Sequence, residues 1–407
     1  FSYFAQANDL KTDFYQKLLN RGWRRSGMAL YKPDLRASCC TQYTTRLNSH
    51  MFSPSREQRQ RLNRFNRYII GEAYIEAAAS LYPKTHEQSR RRKQNFDLVE
   101  RIHESEQAEQ TPPLEHAHSF VVTLEANNFT EEKFYIYQNY QQSVHQDSPA
   151  AITRDGFRRF LCESPLRNGH ISENNCSRLL GSYHQCYRID GNLVAVGVLD
   201  LLPECVSAVY FMYHESVRDF CFGKLSAMRE IALAKEKGYI WWYPGYYIHN
   251  CIKMRYKGDY YPQYILSPES YTWHLFTEDI KQQLSLRKYI SLSSSNGIER
   301  TMSNGTSSAL PHNLEESDMY MPIGDDEIEI PLFARDMPGI LSKDKLLSEV
   351  DLDSIYIRIG DVCFFSRDLE NWRNSSIESG YSIKGIIAEI VAAVGPELSR
   401  EMILDFR

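Results

Sequence analysis

The sequence predicts an α+β fold, a mixed sheet flanked by helices, preceded by a basic amino-terminal region. Three observations carry this. Strand-like runs at 183–189 and 192–199 flank Asp190-Gly191, the strongest short hairpin signal. A further strand-like run, 206–213, leads into an apolar-periodic helix from about 217 to 237, with Gly238 where a helix-ending glycine belongs. Residues 1–101 hold 19 Lys/Arg against 9 Asp/Glu, although the whole chain carries a net charge of −5.

The elements follow in order. Residues 11–20 read as a helix, broken at Gly22. Ser53-Pro54-Ser55 offers a helix start before a basic run over 55–80, where Leu62, Phe65, Ile69 and Ile70 share one face and arginines the other. Residues 84–117, charged and glutamine-rich, read as a long connection or a solvated helix. A second regime begins near His118, with a strand at 120–124 and helical runs at 130–146 and 153–162. After the hairpin and the long helix comes an aromatic strand-like run, 239–248. That order matches an N-acetyltransferase-like (GNAT) layout, one candidate among α+β arrangements. Residues rich in Ser, Asn, Gly and Thr then predict a flexible linker, and 383–394 an apolar helix. The expected division is a basic region over 1–117, a GNAT-like domain over 118–285, a linker over 286–310 and an accessory segment over 311–407.

Composition limits the function. Apolar residues make up 42% and charged residues 24%, ordinary for a globular protein, and no apolar run is long enough to span a membrane. Nine cysteines, mostly single in apolar stretches, read as reduced thiols, so a cytoplasmic or nuclear setting is expected. The basic clusters at Arg21, Arg24 and Arg25, at 56–67 and at 90–93 fit either phosphate contact or a solvated helix face. A first residue of Phe1 rather than Met suggests that the natural start is missing.

Three segments stand out: RGWRRSG at 21–27 with Tyr31-Lys32-Pro33 and the adjacent Cys39-Cys40; VAVGVLD at 194–200 leading to SAVYFMY; and YPGYYIHNCIKMRYKGDYYP at 243–262. With YTTR at 43–46 and SPESYTW at 267–273, they resemble, in the same order, the eukaryotic arginyl-tRNA–protein transferases over most of 11–275; the rest matches chiefly at AAVGPEL near the end.

The resemblance implies a GNAT-like domain that takes aminoacyl-tRNA in place of acetyl-CoA. No CoA is expected: pyrophosphate binding wants a glycine-rich turn at a helix start, and residues 219–224 hold one glycine and two phenylalanines. It implies arginine transfer to amino termini beginning with Asp or Glu, marking them for ubiquitin-dependent degradation. The expected partners are arginyl-tRNA, such proteins and the ubiquitin-ligase machinery, with no membrane. It also implies a zinc or iron–sulfur site at Cys39 and Cys40, whose remaining ligands would come from a C-x-x-C nearer the natural start; two buried thiols is the other reading. A conventional CoA-dependent acetyltransferase, a leucyl- or phenylalanyl-tRNA–protein transferase and a non-catalytic tRNA-binding protein are the alternatives.

The chemistry needs few special groups. The ester donor is already activated, and the acceptor's α-amine is partly neutral near pH 7, so positioning and oxyanion stabilisation dominate. Lys253, Arg255 and Lys257 are candidates for pairing with the acceptor's acid, or form a solvated basic turn. His249 is a candidate proton acceptor or a structural histidine, and Tyr256 a hydrogen-bonding group near the ester or a packing residue. Asp200, ending an apolar strand, is a candidate carboxylate for the donor guanidinium, with Tyr210 and Tyr213 lining that pocket; a turn or cap role and sheet core compete. Trp23, Arg24 and Arg25 are candidate tRNA contacts.

Overall fold

The computed structural model describes residues 1–110, 112, 114–173, 176–292 and 331–406. The amino-terminal part contains β1 (Ser2–Gln6), α1 (Thr12–Leu19), β2 (Arg24–Ser26), β3 (Ala29–Pro33), β4 (Tyr43–Asn48), α2 (Arg56–Ile70), α3 (Glu72–Leu81), α4 (His86–Gln94) and α5 (Leu98–His103). The Ser55 hydroxyl and the Gln58 side chain cap α2 reciprocally, so the predicted start holds. Leu62, Phe65, Ile69 and Ile70 are buried, as their spacing requires. The expected single run over 55–80 is instead two helices. Gly71, at φ 82°, turns the chain where an added Cβ would lie 2.6 Å from that of Ala117.

The middle of the chain forms β5 (Phe120–Ala126), α6 (Glu131–Tyr140), α7 (Arg154–Phe157), β6 (Gly169–Glu173), β7 (Cys176–Ile189), β8 (Asn192–Leu202), β9 (Cys205–Tyr213) and α8 (Phe222–Lys237). There follow β10 (Trp241–Tyr243), β11 (Tyr246–Tyr247), α9 (Ile252–Arg255), β12 (Gln263–Leu266), β13 (Trp273–Leu275) and α10 (Glu278–Leu286). The Asp190-Gly191 hairpin joins β7 and β8, and Gly238 ends α8 in a left-handed conformation. The predicted strand over 239–248 is split in two by Pro244 and Gly245.

Ten strands make one mixed sheet in the order β13-β12-β4-β10-β9-β8-β7-β5, with β11 on β4 and β6 on β7. The β9–β10 pair is parallel; the other pairs are antiparallel. Helices flank this sheet, in agreement with the predicted α+β class. β4 comes from the basic amino-terminal region, yet it sits between β12 and β10 inside the sheet. One face is covered by α2, α5 and α8 around Leu47, Phe65, Met228 and Trp242. Leu18, Trp23, Tyr243, Ala393 and Leu398 form a second cluster, joining the small amino-terminal sheet β1-β3-β2 to the end of the chain.

The expected linker falls, from residue 293 on, outside the described residues. The last segment contains α11 (Lys343–Glu349), β14 (Tyr356–Ile359), β15 (Val362–Phe365), α12 (Ile383–Val394), α13 (Pro396–Ser399) and β16 (Ile403–Phe406). Its apolar helix lies where periodicity put it. Among the described residues no helix is long and apolar enough to cross a membrane.

Candidate functional site

The sheet opens at its centre. β9 and β10 pair only through Cys205–Ser207 and Trp241–Tyr243. Beyond Pro244 the chain turns at Gly245, with φ 86°, and β11 pairs with β4 alone. A side chain at Gly245 would be strained, and its Cβ would lie 3.5 Å from the Lys257 ammonium and 3.7 Å from the Ala208 carbonyl oxygen. Lys257 therefore reaches into a fork between two diverging strands. Residues 252–259 bridge the fork. The Tyr256 hydroxyl approaches the start of α8, 3.5 Å from where a Cβ on Gly223 would sit, and Gly258 packs against Tyr247 and Phe276.

Beside the fork, Glu230 of α8 is 3% exposed and accepts a hydrogen bond from Trp242 Nε1 at 2.8 Å. Burial pushes its carboxyl up to about 7, against the pull of the Trp242 N–H and the Lys257 charge. Sequence reasoning missed Glu230. The available signal was an acid on the inward face of an otherwise buried helix.

The candidates near the carboxyl end of the fork separate. His249 Nδ1 lies 2.8 Å from the Tyr247 hydroxyl and its Nε2 2.7 Å from Ser285 Oγ. Burial, with the Arg255 and Lys281 charges, lowers its pKa, favouring the neutral imidazole. Lys253 is exposed and donates to the Val144 carbonyl, while Arg255, also exposed, donates to that of His249. Of the three basic residues, the fork geometry brings in Lys257.

The donor-side candidates are arranged differently from their expected roles. Asp200 is fully buried and bidentate with Arg25, at 2.6 and 2.7 Å, and the Ser182 hydroxyl donates to the same carboxylate at 2.6 Å. Asp200 thus already holds a guanidinium belonging to this chain, and Arg25 is enclosed away from any phosphate. Trp23 is fully buried, its Nε1 donating to the Ala393 carbonyl at 3.4 Å. Arg24, 5% exposed, lies over the Tyr243 and Tyr246 rings. Trp23, Arg24 and Arg25, expected as tRNA contacts, thus lie in the interior, where they join the small sheet to the large one. Tyr210 packs in the cluster beneath α6 and donates to Gln141 Oε1 at 2.9 Å. Tyr213 packs against the α8 cluster, and both tyrosines meet the Tyr140 ring edge to face.

The Cys39 and Cys40 sulfurs are 3.8 Å apart, Cys39 exposed. Burial and the nearby Cys39 and Cys251 raise the Cys40 thiol. Two thiols are half of a tetrahedral set, and among the described residues no group of three or more His, Cys, Asp or Glu could hold a metal. The residues present do not complete such a site, and no step below runs through one.

Two family descriptions match the chain: arginine-tRNA-protein transferase, N terminus, over residues 1–60, and arginine-tRNA-protein transferase, C terminus, over 132–267. The chain is 32% identical over 276 residues to arginyl-tRNA–protein transferase 1 of Saccharomyces cerevisiae, covering 63% of this chain and 49% of that one. It is 29% identical over 296 residues to arginyl-tRNA–protein transferase 2 of Arabidopsis thaliana, covering 70% and 48%. With an aspartate/glutamate leucyltransferase of Pseudomonas fluorescens it shares 29% identity over 249 residues, 61% of this chain and 77% of that one. The chain thus spans about half the length of the first two relatives.

Proposed function

We propose that this chain, two segments of which match the arginine-tRNA-protein transferase descriptions, moves arginine from arginyl-tRNA to the α-amine of proteins beginning with Asp or Glu. The observation that carries the reading is the fork, with Lys257 inside it and Tyr256 at the start of α8. A mixed sheet that parts beside the amino end of a long helix is the GNAT way of admitting an acyl donor, and we read residues 118–285, completed by β4 from the amino-terminal region, as that domain.

In this mechanism the amine attacks the ester carbonyl, a tetrahedral oxyanion forms, and the tRNA ribose oxygen leaves. Released from β10 beyond Ser207, the edge of β9 offers a wall against which donor and acceptor meet. Lys257 supplies positive charge either for the acceptor's side-chain carboxylate or for the developing oxyanion. His249, held towards its neutral form between two hydroxyls, is the group suited to take a proton from the ammonium.

With Trp23 and Arg25 interior, tRNA phosphates fall to the exposed arginines of α2 and α4, among them Arg56, Arg64, Arg90 and Arg91. Affinity for tRNA should fall by roughly 0.7–0.9 decades per phosphate contact for each decade of added salt. A flat dependence would remove this surface from the reading.

The relative named for leucyl transfer to aspartate and glutamate fits the same acceptor class, so the donor is what a test must separate. Labelled arginyl-tRNA or leucyl-tRNA is incubated with peptides differing only in a first residue of Asp or Ala. Label from arginyl-tRNA on the Asp peptide alone is expected. Label from leucyl-tRNA instead overturns the donor assignment, and equal labelling of both peptides overturns the acceptor rule.

A further inference from the structure

We propose that a narrow cleft of about 20 Å³ between the β2–β3 hairpin and the β4–β12 pair, walled by Pro338 of the last segment, receives one oxygen of an oxyanion, a carboxylate or a phosphate group whose remainder stays at the mouth. Arg21, Lys32, Gln42 and Thr44 give it its polar lining, with apolar walls such as Leu266, and none of its lining residues is acidic.

The case starts from Lys32, which is 3% exposed. Its ammonium donates to the Arg21 carbonyl and the Tyr271 hydroxyl, both at 2.7 Å and both neutral. An ammonium has three N–H donors, so these two leave one over. The Arg21 guanidinium carbon stands 4.1 Å above the Tyr271 ring, and Lys32 Nζ is 4.6 Å from that ring centre. Two basic side chains therefore lie against one ring. Arg21 Nε is buried with no hydrogen-bond partner, and so is Gln42 Oε1. Among the described residues no carboxylate pairs with Arg21 or Lys32.

The same hairpin holds two other buried cations, each with a different compensation. Arg25, seven positions before Lys32 and equally enclosed, receives the Asp200 carboxylate in a bidentate pair, whereas Arg24 beside it lies over the Tyr243 and Tyr246 rings. Keeping a charge out of water without a counter-ion is costly, so two basic groups side by side with no carboxylate favour an arriving anion. Burial, reinforced by the Arg21 charge, pulls Lys32 well below the usual lysine range, the condition an arriving anion would reverse. The cleft is also held from outside the hairpin. Tyr271 donates on to the Gly339 carbonyl, and the Arg21 guanidinium lies against Gly395, where a Cβ would meet it at 2.4 Å. The last segment thus closes a basic cleft in the amino-terminal region.

The test uses the full chain without tRNA, titrated calorimetrically with inorganic phosphate or with succinate against chloride at constant ionic strength. One-to-one binding of at least one oxyanion is expected, with a rise in Tm of about 2 °C or more near saturation. The lysine substitution Lys32→Met keeps the stem and removes the charge; it should weaken binding at least tenfold, and Arg21→Gln should weaken it too. Binding of phosphate alone identifies a phosphate-type ligand, and binding of succinate alone a carboxylate. Should Lys32→Met not fold, Arg21→Gln decides. No binding of either oxyanion beyond chloride, or unchanged affinity in the folded variants, overturns the proposal. These readouts need no transfer activity, so they stand or fall apart from the reaction proposed above.

Discussion

Replacing Asp200 with alanine will cost the fold about 3–5 kcal/mol, the penalty for breaking a buried ion pair and stranding its partner. The Arg25 guanidinium would keep only the Ser182 hydroxyl and the Gly27 and Glu163 carbonyls, with no negative charge in a fully enclosed place. Urea unfolding of the two proteins measures the loss, and an unchanged midpoint would refute the account. The paired variant Arg25→Met with Asp200→Leu removes both charges together. Buried ion pairs replaced by apolar residues of similar volume are often neutral or more stable, so this variant should fold. It also separates architecture from chemistry. Retained arginine transfer by the folded double variant would leave Asp200 a purely structural role. Its loss, with folding intact, would return Asp200 to the reaction.

The second large effect depends on pH. Glu230 ionises near 4.5 when exposed and at about 7 in the fold, because burial opposes its charge. The sign follows directly. The fold prefers the protonated carboxyl, so the stability that Glu230 contributes is greatest below pH 4.5. It declines as pH rises from 4.5 to 7, then stays at the lower level. The separation corresponds to roughly 3 kcal/mol above pH 7, as an order of magnitude. Glu230→Gln keeps an oxygen for the Trp242 N–H and carries no charge at any pH. It should therefore be more stable than the parent by about that amount at pH 8 and equal to it at pH 4.5. Comparing variant with parent at each pH cancels every other titrating group. Parallel pH profiles for the two proteins would mean that Glu230 does not titrate this way.

Much of the middle of the chain was legible because its signals are local. Asp190-Gly191 sets a hairpin through two residues, and the run from Leu225 to Ala234 repeats its apolar positions at helical spacing. The break at Pro244-Gly245 was printed in the residues but lost inside a longer aromatic run. The site was harder, since burial of charge is decided by partners far along the chain. Arg25 and Asp200 are 175 positions apart. An arginine in a basic cluster reads as surface until its partner is seen. Asp200 did stand out, as an acid ending an apolar strand, but the sequence could not say whose guanidinium it held. Lys257 was one of three equivalent cations until the turn at Gly245 singled it out. Glu230 went unnoticed, and Lys32 was read only as part of a motif: a single charge does not announce an interior position.

The placement of β4 has a consequence for how the molecule is made. Its hydrogen-bonding neighbours are Trp241, Trp242, Tyr246, Tyr247 and Gln263–Ile265. A ribosome adding about 5–20 residues per second would make β4 wait roughly 10–40 s for β10 to emerge. Until then its two edges are open, and the basic helices behind it have no finished sheet to cover. Assembly of the sheet's centre is thus a late event that joins the first fifty residues to those beyond 240, and pairings so distant in sequence form slowly.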